Sequence, residues 1–248
     1  NYTMTLSGTF GDNSVAGTTT LTLGSSTINA TNVSFAAATL TVSDNTATIN
    51  VTSTVDITSH LGGVAWGTGG DTSFVYVMTG GKVLTLNGSN TVGNLNVSWT
   101  SGSSASELKF GAHQTISGTL TITGASGFSR PTIRANFRGF QRTLTAAITA
   151  ITGNLNFQDI KGAGAGSWNL SAIVSGNAGG NSDITFRTPA TYYVTGLGSN
   201  RNWYDNIWSA TDDGIADGAG VFPLPQDTAV INNNSGDNTN KILSVNTT

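Results

Sequence analysis

The 248-residue sequence contains no cysteine, only two histidines and a single glutamate, and charged residues make up only 9% of it. The absence of cysteine excludes disulfides and thiolate metal sites, so packing and backbone hydrogen bonds must stabilise the fold. The formal net charge of −3 provides no field that would attract nucleic acid or an anionic membrane. No run of about 18 apolar residues exists, so membrane insertion is not expected either.

Threonine, serine, asparagine and glycine dominate the composition, and helix-forming runs rich in alanine, glutamate and lysine are absent. Hydrophobic residues still make up 37% of the chain. They alternate with polar residues at every second position, which is typical of ordered strands with one buried face. The sequence therefore predicts a chain of strands with very little helix.

A short phrase recurs, in which a glycine is followed by alternating polar and apolar residues; its copies are Gly93–Val97, Gly118–Ile122 and Gly153–Phe157. A strand-like triplet precedes each copy and begins at Leu84, Leu108 or Leu144. The triplets are 24 and 36 residues apart. Such variable spacing is typical of stacked coils with insertions between them. The arginine-rich stretch before Leu144 is thus predicted to be an insertion.

These patterns predict an all-β fold, a right-handed parallel β-helix or solenoid with Leu, Val, Ile and Phe inside and Thr and Asn outside. A β-sandwich array is the alternative, because strands about every 8–12 residues also permit it. We divide the chain into a Thr/Asn/Gly-rich solenoid (1–190), an aromatic Gly/Pro-rich junction (191–226) and the start of a further β segment (227–248). The last segment reads as a strand cut short, so the chain is expected to be a piece of a longer protein.

Four of the ten basic residues recur at every fourth position: Arg130, Arg134, Arg138 and Arg142. In one extended strand this spacing would place all four side chains on the same face. Such a face could bind an acidic glycan, a phosphate or the carboxylates of a neighbouring subunit. The alternative, which we favour because charge runs are usually solvated, is an outer face without a ligand.

Half of the Trp and Tyr residues lie between positions 192 and 208, among them Trp203, Tyr204 and Trp208. Exposed aromatic rings flanked by Asn and Asp would stack on sugar rings, which suits contact with a glycan. The favoured alternative is a plug that covers the open end of the solenoid, in which these rings pack against nearby prolines. Asp227 is expected to accept backbone N–H bonds where the next strand begins.

No residue is predicted to be catalytic, and no cofactor is expected. His60 and His113 lack a local Ser/Asp order that would identify a triad. A glycosidase pair would have to use aspartates such as Asp159, Asp183 or Asp205, and nothing in their spacing selects them. The chain is therefore not expected to be an enzyme.

An acidic loop carries Asp212, Asp213 and Asp217, whose carboxylates could ligate Ca²⁺. The loop lacks the spacing of an EF-hand and its final glutamate. A solvated acidic loop is the favoured interpretation.

The carboxyl-terminal stretch resembles a junction in a group of large β-solenoid proteins. The resemblance is carried by Asn202-Trp203, Trp208-Ser209, Gly218 to Gly220 and the run Phe222 to Ile231. Proteins of this group are predicted in bacteriophage genomes and occur among bacterial surface adhesins, and the junction separates one Thr/Asn-rich β-helix from the next. The resemblance covers about residues 150–235. It fails in the loop between Trp208 and Phe222, which carries aspartates where Ser and Gly are usual.

The resemblance implies a structural virion protein: a tail fibre, appendage or decoration segment that takes part in host attachment. Its expected location is the virion surface or the extracellular space. Its expected partners are other virion proteins, copies of itself in a homotrimer, and a host surface glycan. A bacterial surface adhesin and a polysaccharide-degrading tail spike are the two alternatives.

Overall fold

The computed structural model describes residues 2–12, 18–35, 39–43, 46–67, 70–100, 106–124, 130–195, 201–203, 205–218, 221–231 and 243–244. These ranges contain 24 strands and no helix. Within them, accordingly, no helix is long and apolar enough to cross a membrane. The strands are β1 (Thr3–Thr5), β2 (Thr9–Gly11), β3 (Thr18–Leu21), β4 (Thr27–Ala30), β5 (Asn32–Ser34), β6 (Thr39–Val42), β7 (Thr48–Ser53), β8 (Ile57–His60), β9 (Ser73–Met78), β10 (Val83–Asn87), β11 (Asn90–Val92), β12 (Leu95–Trp99), β13 (Glu107–Phe110), β14 (Gln114–Thr123), β15 (Thr132–Ala135), β16 (Arg142–Thr152), β17 (Leu155–Gln158), β18 (Ile160–Ala163), β19 (Ser175–Asn177), β20 (Thr191–Val194), β21 (Arg201–Asn202), β22 (Trp208–Ser209), β23 (Thr228–Val230) and β24 (Leu243–Ser244).

Most strands pair in parallel with the corresponding strand of the next coil. The first sheet runs β1-β4-β7-β9-β12-β14-β16-β18, with β11 also paired to β14, and the second runs β2-β5-β8-β10-β13-β15-β17-β19. The chain passes back and forth between these sheets as it winds, while β3 and β6 pair in a separate two-stranded parallel sheet. Together the coils form a parallel β-solenoid of about six turns. The predicted solenoid is thus confirmed. The sandwich alternative is wrong, because sandwich sheets are antiparallel.

The core lies between the two sheets, and in most of their strands a buried side chain alternates with a less buried one. In β9, Phe74, Tyr76 and Met78 are fully buried, while the side chains between them are only partly covered. Each such apolar side chain stabilises the fold by about 1.5–3 kcal/mol relative to an exposed one. The buried side chains begin at Ile28, and because the coils from there onward contribute several each, the solenoid needs no disulfide.

The coils of the second sheet span 20–27 residues, a regularity that the sequence only partly indicated. Leu84 pairs with Leu108, 24 residues later, as expected. Leu108 then pairs with Ile133, whereas Leu144 pairs with Gln114 in the first sheet. The 36 residues between Leu108 and Leu144 are therefore not the length of a coil. The arginine-rich stretch contains a regular strand, β15, rather than only an insertion. We attribute the error to β15 itself, which has a single large apolar residue and does not resemble the Leu-rich triplets.

The recurring glycine phrase also proves to be heterogeneous. Leu95 and Leu120 occupy neighbouring positions in the first sheet, as their shared phrase predicts. Leu155, in the third copy, lies in β17 of the second sheet. Alternation with period two defines a strand but not the sheet to which it belongs.

The carboxyl-terminal strands form smaller sheets beyond the main stack. β20 pairs antiparallel with β22 and parallel with β23, and β21 pairs in parallel with β24. Strands on both sides of the predicted boundary at 226/227 therefore share a sheet. A separate apolar cluster accompanies them; its buried members are Val194, Ile207, Trp208, Phe222 and Leu224.

Candidate functional site

The last strand of the second sheet, β19, is covered by one side chain. The Asn177 backbone N–H donates to Gln226 Oε1 at 2.8 Å, and Gln226 Nε2 donates to the Ser175 carbonyl at 3.2 Å. One side-chain amide thus forms the two bonds that a following strand would provide. An uncovered edge of this kind invites pairing with another chain. Gln226 therefore ends the sheet, a role that nothing in the sequence indicated.

Asp227 anchors the turn that presents Gln226. Its side chain is fully buried and forms an ion pair with Arg187. The carboxylate also accepts the backbone N–H of Leu224 at 2.7 Å and that of Ala190 at 2.9 Å. The expectation that Asp227 accepts backbone bonds beside a new strand is confirmed, because β23 begins at the next residue.

The aromatic residues of the junction form a small core of their own. Trp208 is fully buried, and its Nε1 donates to the Trp203 carbonyl at 2.8 Å. The two rings are 4.7 Å apart, and Trp203 Nε1 reaches the Pro223 carbonyl at 3.4 Å. Trp208 therefore cannot be a surface contact, since its ring is enclosed by the cluster. Trp203 is half-buried, and Tyr204 lies outside the described residues.

The end of the main core is closed by other residues. Trp168 and Leu170 are its last buried members, and Phe186 packs edge-on against Phe157 at 6.0 Å. The predicted plug is therefore confirmed only in part: within the described residues the junction aromatics pack together, but in a cluster separate from the main core.

The four spaced arginines do not share a face, because β15 ends at Ala135 and a turn follows. Arg130 is only 5% exposed, so its predicted surface contact is wrong. Its guanidinium donates to the carbonyls of Leu155 and Val174 at 2.9 and 2.7 Å and lies 5.8 Å from the Phe222 ring centroid. Arg130 thus joins two coils to the carboxyl-terminal cluster.

Arg134 belongs to an ion-pair group on the outer face of the second sheet. Its Nε donates to Glu107 at 2.7 Å, and Lys109 Nζ lies 2.7 Å from the same carboxylate. Burial by itself raises the pKa of Glu107, but the hydrogen bonds from Arg134 and Lys109 outweigh it and hold that pKa below its ordinary value. Arg134 therefore compensates a carboxylate of its own chain.

Arg138 and Arg142 occupy different environments. Arg138 is exposed in the turn after β15, whereas Arg142 is half-buried at the first position of β16. The backbone N–H of Arg142 donates to the Asp159 carbonyl at 2.9 Å. Of the four arginines, only Arg138 is fully exposed.

The acidic loop is organised by its own hydrogen bonds. Asp217 accepts from Ser209 Oγ and the Ala210 N–H, at 3.2 and 2.6 Å. The Ile215 N–H and then the Thr211 hydroxyl lower the pKa of Asp213. In the described part of the chain, no group of three or more His, Cys, Asp or Glu side chains could hold a metal ion. Asp212, Asp213 and Asp217 are therefore not brought together as a Ca²⁺ site.

The remaining polar candidates have structural contacts. His113 Nδ1 accepts the Thr143 N–H at 2.9 Å, and Asp183 pairs with Lys161 at 3.5 Å. Asp205 accepts the Asn202 N–H at 2.8 Å. These contacts assign no chemistry to His113, Asp183 or Asp205.

Comparison of the chain with protein-family models, curated proteins and solved structures finds no match. The resemblance to phage and adhesin solenoids therefore remains a prediction from the sequence.

Proposed function

We propose that this chain is a structural segment of a bacteriophage fibre, appendage or decoration protein that projects from the virion and contacts the host surface. The observation that carries the proposal is the uninterrupted stack of parallel strands, in about six turns. At ~4.8 Å between neighbouring strands, six turns give a rigid element roughly 30 Å long. A covered last edge keeps such an element from pairing with unrelated chains.

Polar side chains on the outer face support a role outside the cell. Asn50 Nδ2 donates to Asn29 Oδ1 at 2.9 Å, and Asn29 Nδ2 donates to Thr5 Oγ1 at 3.2 Å. These bonds connect three consecutive coils. A stack held by backbone and side-chain ladders stays folded without disulfides, at low charge, in an exposed location.

Purified particles test the proposal. Particles from the phage whose genome encodes this sequence should contain its peptides in a constant ratio to the capsid protein after density-gradient purification. Peptides that remain with the soluble host fraction, and not with the particles, would contradict it. Light scattering of the purified chain measures whether its copies form the expected homotrimer.

A bacterial surface adhesin is the second candidate, favoured by the exposed aromatic residues Phe137 and Phe140, which suit contact with a surface. Recovery of the protein in cell-envelope fractions, in the absence of particles, would favour the adhesin. The polysaccharide-degrading spike is tested by the release of reducing sugar ends from host polysaccharide.

A further inference from the structure

The turn between β15 and β16 is enlarged relative to its neighbours in the stack. Six residues separate these strands, whereas three separate β13 from β14 and one separates β17 from β18. Two phenylalanines in this turn face solvent, Phe137 at 63% and Phe140 at 66% exposure. Arg138 lies between them and is exposed as well. We call residues 137–140 the aromatic tip.

The aromatic tip is held by one hydrogen bond to the next coil and one within the turn. Gly139 N–H donates to Asp159 Oδ2 at 3.0 Å, and the Phe140 N–H donates to the Phe137 carbonyl at 3.3 Å. Directly after the tip, Gln141 Nε2 donates to the Gly180 carbonyl at 2.7 Å. A binding surface fixed in this way loses little conformational entropy when a ligand binds.

Asp159 has the backbone geometry that this support requires. Its φ is +56°, in the left-handed region that aspartate tolerates better than most residues. A Cβ on Gly180 would lie 1.9 Å from Asp159 Oδ1, so glycine is required there for the carboxylate to keep its place. Asp159 and Gly180, both with positive φ, thus hold the carboxylate that bonds the tip, while the side chains of the tip itself are exposed. Such geometry is typical of functional sites.

The side chains of the tip match one class of ligand. Exposed aromatic rings pack against the apolar faces of sugar rings, and the planar guanidinium of arginine binds carboxylates with two parallel hydrogen bonds. Within the described residues, Arg138 forms no ion pair, unlike Arg134 and Arg187. We propose that the aromatic tip binds a polysaccharide that carries carboxylate groups, such as a uronic-acid polymer. This inference rests on the proposed contact with the host surface.

A second copy of the chain is the partner that competes with a carboxylated polymer for the tip. Such a copy would have to offer an exposed carboxylate beside an apolar surface. The acidic loop offers both, because Ile215 is 69% exposed and lies near the exposed Asp212 and Asp213. Self-association is therefore the alternative outcome of the test.

The experiment measures binding of the purified chain to polygalacturonate and to the same polymer after chemical reduction of its carboxyl groups. Phe137→Ser, Phe140→Ser and Arg138→Ser are compared with Ile148→Ser, which removes an exposed apolar side chain from the first sheet. We expect each tip variant to weaken binding about tenfold and the control to bind as the wild type does. Removing the carboxyl groups should weaken wild-type binding and leave Arg138→Ser unchanged.

All four variants change exposed side chains, so their melting temperatures should match that of the wild type. Wild-type binding that equals the binding of the tip variants, or no binding to either polymer, would overturn the proposal. If the wild type forms oligomers and the tip variants do not, the glycan proposal is overturned in favour of self-association. If the chain is found in particles but the tip variants bind the polymer as well as the wild type does, only the glycan site is refuted. If the tip variants bind the polymer more weakly than the wild type but the chain is absent from particles, only the proposed function is refuted.

Discussion

The backbone N–H of Asn177 donates to the side-chain oxygen of Gln226 at 2.8 Å, across 49 positions of sequence. Asn177 ends β19, the last strand of the second sheet, and Gln226 lies in the turn before β23. The bond joins the main stack to the carboxyl-terminal cluster. A strand edge that would otherwise be open to other chains is therefore closed by a residue of the same chain.

Replacing Gln226 by alanine should leave the Asn177 N–H and the Ser175 carbonyl without their protein partner. We expect the free energy of unfolding to fall by about 1–3 kcal/mol, with an increase in concentration-dependent association through the uncovered edge. Denaturant unfolding and light scattering measure the two effects. Gln158→Ala is the matched control, because Gln158 lies on the outer face of β17, one strand inside the edge. Equal stability of both variants would show that Gln226 does not cap the sheet.

Replacing Arg130 by lysine keeps the charge but removes the guanidinium, one nitrogen of which donates to two carbonyls. Lysine has no counterpart of the Nε–H that donates to Asn156 Oδ1 at 3.0 Å, and its side chain ends one bond short of the nitrogen that donates to Leu155 and Val174, so we expect a loss of about 2–4 kcal/mol. Arg138→Lys is the control, since an exposed replacement changes stability by at most about 0.5 kcal/mol. Thermal unfolding compares the two. If Arg130→Lys and Arg138→Lys have the same melting temperature, Arg130 does not join the coils to the carboxyl-terminal cluster.

Two tryptophans belong to different apolar clusters, and their replacement should affect different parts of the molecule. Trp208→Ala should destabilise the carboxyl-terminal cluster, and Trp168→Ala the end of the main core, each by about 3–5 kcal/mol. Hydrogen exchange resolved along the chain should show faster exchange at β20 and β23 for Trp208→Ala. For Trp168→Ala, the faster exchange should lie at β17–β19. The same exchange pattern for both variants would contradict the existence of two clusters.

The stability that Glu107 provides should depend on pH in a defined direction. Because its folded pKa is lowered, the contribution is complete above the ordinary carboxyl pKa and is lost as the pH falls through the lowered value. The difference in melting temperature between the wild type and Glu107→Gln should therefore be largest at neutral pH and shrink in acid. Asp183→Asn is the control, because its exposed ion pair contributes at most about 1 kcal/mol. A difference that grows in acid would refute the assignment.

The sequence predicted the solenoid because alternation and turn residues are local properties. It could not reveal the position of Ile133, since a strand with one large apolar residue gives a weak pattern. Nor could it reveal that Arg130 is buried, because its carbonyl partners lie 25 and 44 positions away. Gln226 was missed for the same reason: a glutamine in a polar turn looks solvated until the strand edge it covers is known.

The most direct test of the proposed function is a cryo-electron microscopy reconstruction of the purified particles at near-atomic resolution. We predict density for a parallel β-solenoid of about six turns on an external fibre or appendage, with the Phe137–Phe140 turn facing outward. Intact particles in which every external density is accounted for by other chains would contradict the proposal.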